Sequence, residues 1–445
     1  MRYSLPKSSR WPGVVVCALS ALLLHQNVRA ESMFGCANLE TDKQLSVVEG
    51  TQGYFFRIIA DLRMDQQLSE HTADEMAALS DALEAGGTTL VYVPIPTKSL
   101  VMPEYLPRQA RDYGFDYGVA KRVYDDVITR LRNHGVVTVD VLGAMQRGGE
   151  QEPAFFQADF HWTSSGARAA ADEIASVIQQ LPGIDDLAKA SFETKPVGRQ
   201  PIISTMRRLL QASCKQALPL PETNAFTTTE MAAGDSGLDI FGDGPSKRAV
   251  ALVGTSYSDL AASNFAGFLS QALSSPVTNY SISGGNQFGS ITSYLTSKVF
   301  AEARPRFLIW ENPIYNSLGK FGDAPLLELR TAADQSCHEI EPDDISTVGN
   351  STLEIALQDG EIPNSAVIYA YSGDDRSRQA TLRFRLNDGH MFESSIRRAD
   401  RMISTGRYYF PVRYFGMQAT QKINLEFDRM SANEVSVGIC NTSGG

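Results

Sequence analysis

Two hydrophobic periods run along this chain, and the change from one to the other divides it. Up to about residue 340, short apolar runs bounded by turn residues alternate with longer stretches of helical period. The runs "TTLVYVPIP" (88–96), "VVTVDVL" (136–142), "RAVALVG" (248–254), "VTNYSIS" (277–283) and "RFLIW" (306–310) read as strands. Helical spacing fills about 64–85, 116–134, 165–181, 259–274 and 290–302, and Thr163 or Ser164 can cap the third of these. Continuous apolar strands alternating with helices predict an α/β fold whose mostly parallel sheet is covered on both faces. The polar, Gly- and Pro-rich segment 193–246 reads as a long surface excursion. From about residue 341 the period falls to two: "TLRFRLNDGHMFESSIR" and "QKINLEFDR" read as antiparallel strands of an all-β sandwich. The change falls in "CHEIEPDD" and suggests two domains, 31–340 and 341–445.

Residues 1–30 stand apart from both. Arg2, Lys7 and Arg10 precede the apolar run "VVVCALSALLL" (14–24), and Val28 and Ala30 follow as small residues at a cleavage site. This reads as a cleaved secretory signal, because the run is too short to span a bilayer. No later stretch is apolar for long enough either, so the mature chain is expected to be exported and not membrane-spanning. Without its first 30 residues the chain carries 36 basic and 51 acidic side chains, a net charge of −15. Such a balance argues against nucleic acid as a partner. Four cysteines remain, none in a CxxC pair. Three pairings are possible, and the spacing suggests Cys36–Cys214 in one domain and Cys337–Cys440 in the other.

In an open α/β sheet, ligands sit beyond the carboxyl ends of the strands, which directs attention to residues 94–98, 254–256 and 310–315. At the second tip, "ALVGTSYSDL" (251–260) puts Ser256 at the turn from a buried strand into a helix. Free N–H groups face the same space there and suit an oxyanion. A serine needs a base to become nucleophilic, and "DFHWTSSG" (159–166) offers His161 with Asp159 to orient it. Each motif also has a plain structural reading, as a tight turn or a surface loop. Trp162 fits a pocket wall and a core position equally. His161 has no second histidine at ligand spacing, so no metal site is expected. No dinucleotide or P-loop signature occurs, and no cofactor is expected.

The β-rich segment carries a local charge of opposite sign. Residues 376–413 hold nine arginines, no lysine and three acids. Arg383 and Arg385 share a strand face with Thr381, while Leu382, Phe384 and Leu386 take the core face. Guanidinium forks bind carboxylates in bidentate fashion, so the segment suits an anionic polysaccharide. The alternative is a solvated strand face paired with neighbouring acids.

The sequence resembles the AlgX family of periplasmic alginate O-acetyltransferases, whose catalytic domain is similar to SGNH hydrolases in circularly permuted order. The resemblance rests on "GYFF", "VPIPTKSLVMPEYLP" (93–107), "DFHWTSSGA" (159–167), "VGTSYSDLAASNFAGFL" (253–269), "LIWENPIYN" (308–316), the four cysteines and the β-rich tail. It implies an SGNH-like catalytic domain followed by a carbohydrate-binding module, with Asp159, His161 and Ser256 as the triad. Permutation accounts for Asp and His preceding Ser. The Gly-Thr-Ser and Asp-x-His motifs differ from the general Gly-Asp-Ser and Asp-x-x-His, and so leave the oxyanion donors open. The Ser256 N–H and Asn286 are candidates, the latter also readable as a turn residue. Tyr315 and Lys98 are candidates to hold donor or acceptor, each read more readily as a packing or surface residue, and Arg376, Arg383, Arg385 and Arg397 are candidates to hold polymer. The implied chemistry transfers acetyl from Ser256 to mannuronate hydroxyls of alginate. Membrane-associated partners in a secretion complex would supply the acetyl groups. An esterase with the same triad and a non-catalytic polymer-binding scaffold are the competing readings.

Overall fold

The computed structural model describes residues 32–149, 152–231, 249–341, 344–356, 366–386, 389–412 and 419–441. The expected signal at 1–30 and Arg413 of the arginine run lie outside the described residues. The chain begins with an antiparallel ribbon, β1 (Val47–Glu49) and β2 (Phe55–Arg57). Next come β3 (Thr89–Ile95) and β4 (Val137–Thr138). Among the described residues, strands β5 (Phe192–Pro201) and β6 (Glu222–Glu230) pair only with each other, and β7 (Val250–Val253), β8 (Val277–Asn279) and β9 (Phe307–Pro313) follow. The central sheet has the order β4–β3–β9–β7–β8, every pair parallel. All seven residues of β9 and all four of β7 are buried, as expected of strands covered on both faces. The Glu70–Ala85, Tyr117–Asn133, Ser164–Ile178, Phe265–Leu273 and Gly289–Leu295 helices supply apolar side chains to the same core.

Several elements differ from their sequence patterns for local reasons. The apolar run 136–142 forms a strand only at Val137–Thr138. On β3, Tyr92 faces β4 and accepts from Val139 N at 3.0 Å. Pro94 is the next residue to face that side, and it has no N–H to continue the ladder. Its carbonyl accepts instead from Tyr124 Oη at 3.2 Å. The helix expected over 64–85 begins at Glu70, capped by Ser69, which accepts from Thr72 N. The helix expected over 259–274 is broken: Asn264 sits at φ +52° before Phe265–Leu273. The surface excursion consists of the β5–β6 ribbon with the Thr205–Gln211 helix between its strands, and 232–248 lie outside the described residues.

The β-rich segment contains β10 (Cys337–Glu339), β11 (Ile345–Val348), β12 (Thr352–Ala356), β13 (Ala366–Tyr371), β14 (Gln379–Leu386), β15 (Met391–Arg397), β16 (Arg407–Pro411), β17 (Ala419–Phe427) and β18 (Ser436–Asn441). They form two antiparallel sheets, β10–β18–β13–β16 and β11–β12–β17–β14–β15. Leu353, Leu382, Phe384, Ile423 and Leu425 from one meet Ile368, Ala370, Tyr408, Phe410 and Val437 from the other in a shared core. The four-stranded sheet also buries its other face. Val367, Tyr409 and Cys440 join the core of the α/β domain, following the period-two alternation of side chains. Disulfides link Cys36 to Cys214 and Cys337 to Cys440, the second across directly paired residues of β10 and β18. Among the described residues, no helix is long and apolar enough to cross a membrane.

A buried ion pair spans the domains. Arg398 Nη1 donates to Glu328 Oε2 at 3.0 Å, its Nη2 reaches Oε1, and both residues are buried. Removing one partner leaves a charge without compensation in the interface. Glu328→Ala is therefore expected to cost about 3 kcal/mol, read as a drop of several degrees in the unfolding midpoint by calorimetry. An unchanged midpoint would show that the pair does not hold the domains together.

Candidate active site

The site forms where β3, β7 and β9 end. Strand β7 delivers Gly254, Thr255 caps the Ser256–Asp259 helix, and Ser256 opens it. Beneath this turn lies the carboxylate of Glu311 from β9, fully buried. It accepts from Thr255 N at 2.7 Å, Thr255 Oγ1 at 3.0 Å and Ser258 Oγ at 2.9 Å. Burial pushes its carboxyl up, and these donors pull it part of the way back. The glycine of the Gly-Thr-Ser motif follows from this packing. A Cβ at position 254 would lie 2.4 Å from Glu311 Oε2 and 2.9 Å from Ser258 Oγ.

Opposite the turn runs the loop ahead of the Ser164–Ile178 helix. Its ends are closed by Phe156 N on His161 O (3.2 Å) and Thr163 N on Ala154 O (2.9 Å), and Thr163 caps the helix. Asp159, 1% exposed, accepts on Oδ1 from His161 N at 2.8 Å and from His161 Nδ1 at 2.6 Å. An ionised carboxylate only accepts, so Nδ1 carries the ring proton. The Nε2 lone pair then faces Ser256 Oγ, 2.8 Å away. Burial alone would raise the Asp159 carboxyl, but the His161 contacts and the Ser204 hydroxyl outweigh it and hold it below its usual value. Trp162 is a core residue with a specific link. Its Nε1 donates to Tyr257 O at 2.9 Å and its ring packs on Phe265 at 4.7 Å, tying the histidine loop to the serine turn.

The remaining candidates fall in different places. Lys98 points inward and is 1% exposed. Its Nζ donates to the carbonyls of Phe55 (2.9 Å), Phe156 (2.5 Å), Gln157 (3.0 Å) and Asp159 (3.1 Å). Burial lowers its pKa to about 7, against the pull of Asp61 and Asp159. Tyr315 flanks the site: Arg57, paired with the buried Asp61, lies between its ring (4.5 Å) and that of Phe160 (4.2 Å). Asn286 is exposed at φ +54°, and its Oδ1 accepts from Phe288 N at 3.0 Å. Among the described residues, no hydrogen bond joins Asn286 to Ser256. In the β-rich domain Arg376 pairs with Asp374, and Arg383 with both Glu393 and Glu426. Arg385 donates to Gly389 O at 3.0 Å, and both it and Arg397 are exposed. Among the described residues, no group of three or more His, Cys, Asp or Glu could hold a metal ion.

Sequence reasoning did not find Glu311, the inward role of Lys98 or the contact of Ser204 with Asp159. The polar Glu311 directly after "RFLIW" is the one signal that could have marked a buried acid at a strand tip.

A five-stranded parallel sheet with Ser, His and Asp assembled at its carboxyl edge defines an SGNH-hydrolase-like protein. Residues 47–314 match the family described as "SGNH hydrolase-like domain, acetyltransferase AlgX", and the chain belongs to that family. It is 37% identical over 265 residues to the alginate biosynthesis protein AlgX of Pseudomonas aeruginosa, which covers 60% of this chain and 55% of that protein. The chain thus spans about half the length of the relatives it matches. The solved structure of P. aeruginosa AlgX superimposes with a TM-score of 0.74 at 27% identity, over 89% of this chain and 94% of that one. The O-acetyltransferase domain of Pseudomonas putida AlgJ matches at TM-score 0.51 and 26% identity, over 64% of this chain and 99% of that domain.

Two substitutions probe the scaffold. Lys98→Met removes the Nζ donor from four inward carbonyls, of which Gln157 O keeps the Phe55 N–H at 3.0 Å, and is expected to cost about 3 kcal/mol, measured by urea unfolding. Gly254→Ala drives a methyl group into Glu311, and is expected to cost about 1–3 kcal/mol. It should also reduce labelling of Ser256 by a serine-directed fluorophosphonate. Wild-type stability and labelling in Gly254→Ala would mean that the turn has room for a Cβ.

Proposed function

We propose that this protein is an exported O-acetyltransferase that acetylates hydroxyls of an anionic exopolysaccharide through an acetyl-Ser256 intermediate, with mannuronate residues of alginate as acceptor. The supporting observation is the unbroken hydrogen-bond chain from Asp159 through His161 to Ser256, in a member of the AlgX family. The Ser256 hydroxyl attacks the carbonyl of an acetyl ester while its proton passes to His161 Nε2. The Ser256 N–H at the helix start supports the oxyanion, and Asp159 stabilises the imidazolium. Collapse of the tetrahedral adduct returns the proton to the leaving alcohol and leaves acetyl-Ser256. A sugar hydroxyl then gives its proton to Nε2, attacks the acetyl carbon and departs as the ester, and the proton returns to Ser256. No cofactor enters this sequence.

Residues 1–30 direct export to the periplasm, where the two disulfides persist. Membrane-associated proteins present the acetyl group. The domain at 31–340 performs the chemistry, and that at 341–445 engages polymer, with the exposed Arg385 and Arg397 among its candidate contacts.

After incubation with a 4-nitrophenyl ester of acetic acid, mass spectrometry is expected to find one acetyl group on the Ser256 peptide, and Ser256→Ala to lose turnover by on the order of 10⁴-fold. With polymannuronate added, the acetyl group should appear on the polymer. Ester consumption without polymer acetylation would replace the transferase with an esterase. Polymer acetylation undiminished in Ser256→Ala would leave the chain a scaffold.

A further inference from the structure

We propose that Ser204 is a positioning residue for the proposed acetyl transfer: its hydroxyl donates to Asp159 and fixes the carboxylate that orients His161. This rests on the triad reading above and extends it to a residue in the β5–β6 arm. The two oxygens of Asp159 have separate duties. Oδ1 takes the backbone N–H and ring N–H of His161, and Oδ2 takes the Ser204 hydroxyl. The direction of that bond follows from chemistry, because an ionised carboxylate cannot donate. Ser204 Oγ also accepts from Arg207 N at 2.9 Å as the cap of the Thr205–Gln211 helix, which leaves its proton free for Asp159. A carboxylate with one oxygen unheld could rotate, and the His161 ring would follow it.

The segment bearing Ser204 is anchored accordingly. Met206 and Leu210 bury against the cluster of Phe34, Val47 and Phe55. The Cys36–Cys214 disulfide closes just beyond the helix, with Ala37 N on Ser213 O and Gln216 N on Phe34 O, both 2.9 Å. Phe55 also lends its carbonyl to Lys98. The arm and the buried ammonium therefore reach Asp159 from one cluster.

A hydrogen bond to the ionised carboxylate lowers the proton affinity of the Asp159 and His161 pair, so removing it raises that affinity. The charged groups around the pair are Lys98, on the Asp159 carbonyl, and Arg57 with Asp61, stacked on Phe160. They are unchanged by substitution at 204, so the difference between variant and wild type isolates the serine. Ser204→Ala is expected to lower kcat for acetyl-ester turnover about 10- to 100-fold, with KM unchanged. The acidic limb of its pH profile should move to higher pH. The titration midpoint of the downfield His161 Nδ1 proton, followed by NMR, should move the same way. Ser204→Thr should restore both. Ser204→Asp retains an N-cap acceptor but cannot donate when ionised, and should be no faster than Ser204→Ala. A wild-type midpoint in folded Ser204→Ala, or wild-type activity in Ser204→Asp, would overturn the proposal. The NMR midpoint is independent of acetyl transfer. Its shift together with no acetyl on wild-type Ser256 would sink the functional reading and leave Ser204 as the residue that holds Asp159.

Discussion

The site depends first on a buried lysine. To turn Asp159 and His161 toward Ser256, the loop at 153–163 must leave regular structure, and several of its carbonyls then point inward. Buried carbonyls without partners are costly, and water has little access here. The Lys98 ammonium meets this need from the tip of β3, gathering three carbonyls of the loop and one of β2. Asp61 and Asp159 favour its charged form and oppose the burial that lowers its pKa to about 7. A long flexible side chain with three donors suits this irregular set of acceptors better than a planar guanidinium would.

The neighbouring strand carries the opposite charge for the opposite task. At the serine turn the groups in need are donors, since the first N–H groups of a helix have no partner within it. Glu311 accepts from Thr255 N and from two hydroxyls, and so fixes the turn from below. Because β3 and β9 are adjacent and parallel, with Ile95 beside Pro313, the cation and the anion flank one edge of the sheet. Trp162 then joins the two supported segments through Tyr257. Each catalytic candidate is thus held by a buried side chain with the hydrogen-bonding sense its backbone requires.

This division explains what the sequence disclosed and what it withheld. Strands β3, β7 and β9 were legible because burial on both faces leaves a continuous apolar run. The serine and the Asp-x-His pair were legible because a turn glycine and a short acid-to-histidine spacing are local. Lys98, Glu311 and Ser204 were not, since each acts on a segment dozens of residues away, and a lone Lys, Glu or Ser has no periodic signature. Lys98 at a strand tip could be read as a ligand contact or as a packing or surface residue, and only the fold turns it inward. Pro94 was visible throughout, but its effect on β4 depends on which neighbour it faces. The strand-face assignment in β14 was legible, yet the partners of Arg383 come from β15 and β17 and could not be named.

The arginine run illustrates how composition and structure can point to different tasks. As a string, residues 376–413 carry a local charge of +6. In the fold most of that charge is occupied. Arg376, Arg383 and Arg398 meet carboxylates, and Arg378 donates to the carbonyls of Ala399 and Met402. Arg407 lies over Tyr371, with Asp375 3.6 Å from its Nη1. These are tasks for a planar fork: bidentate pairing, bridging two carbonyls and stacking on a ring. They account for a run that holds arginine and no lysine without reference to a ligand. Arg397 and Arg401 are exposed at the end of the edge strand β15 and just beyond it, in a chain whose net charge is negative. For the polymer contact proposed above, the net negative charge of the chain favours that edge over an arbitrary face. What recommends the edge as a polymer contact is its position, and the number of arginines in the run adds little.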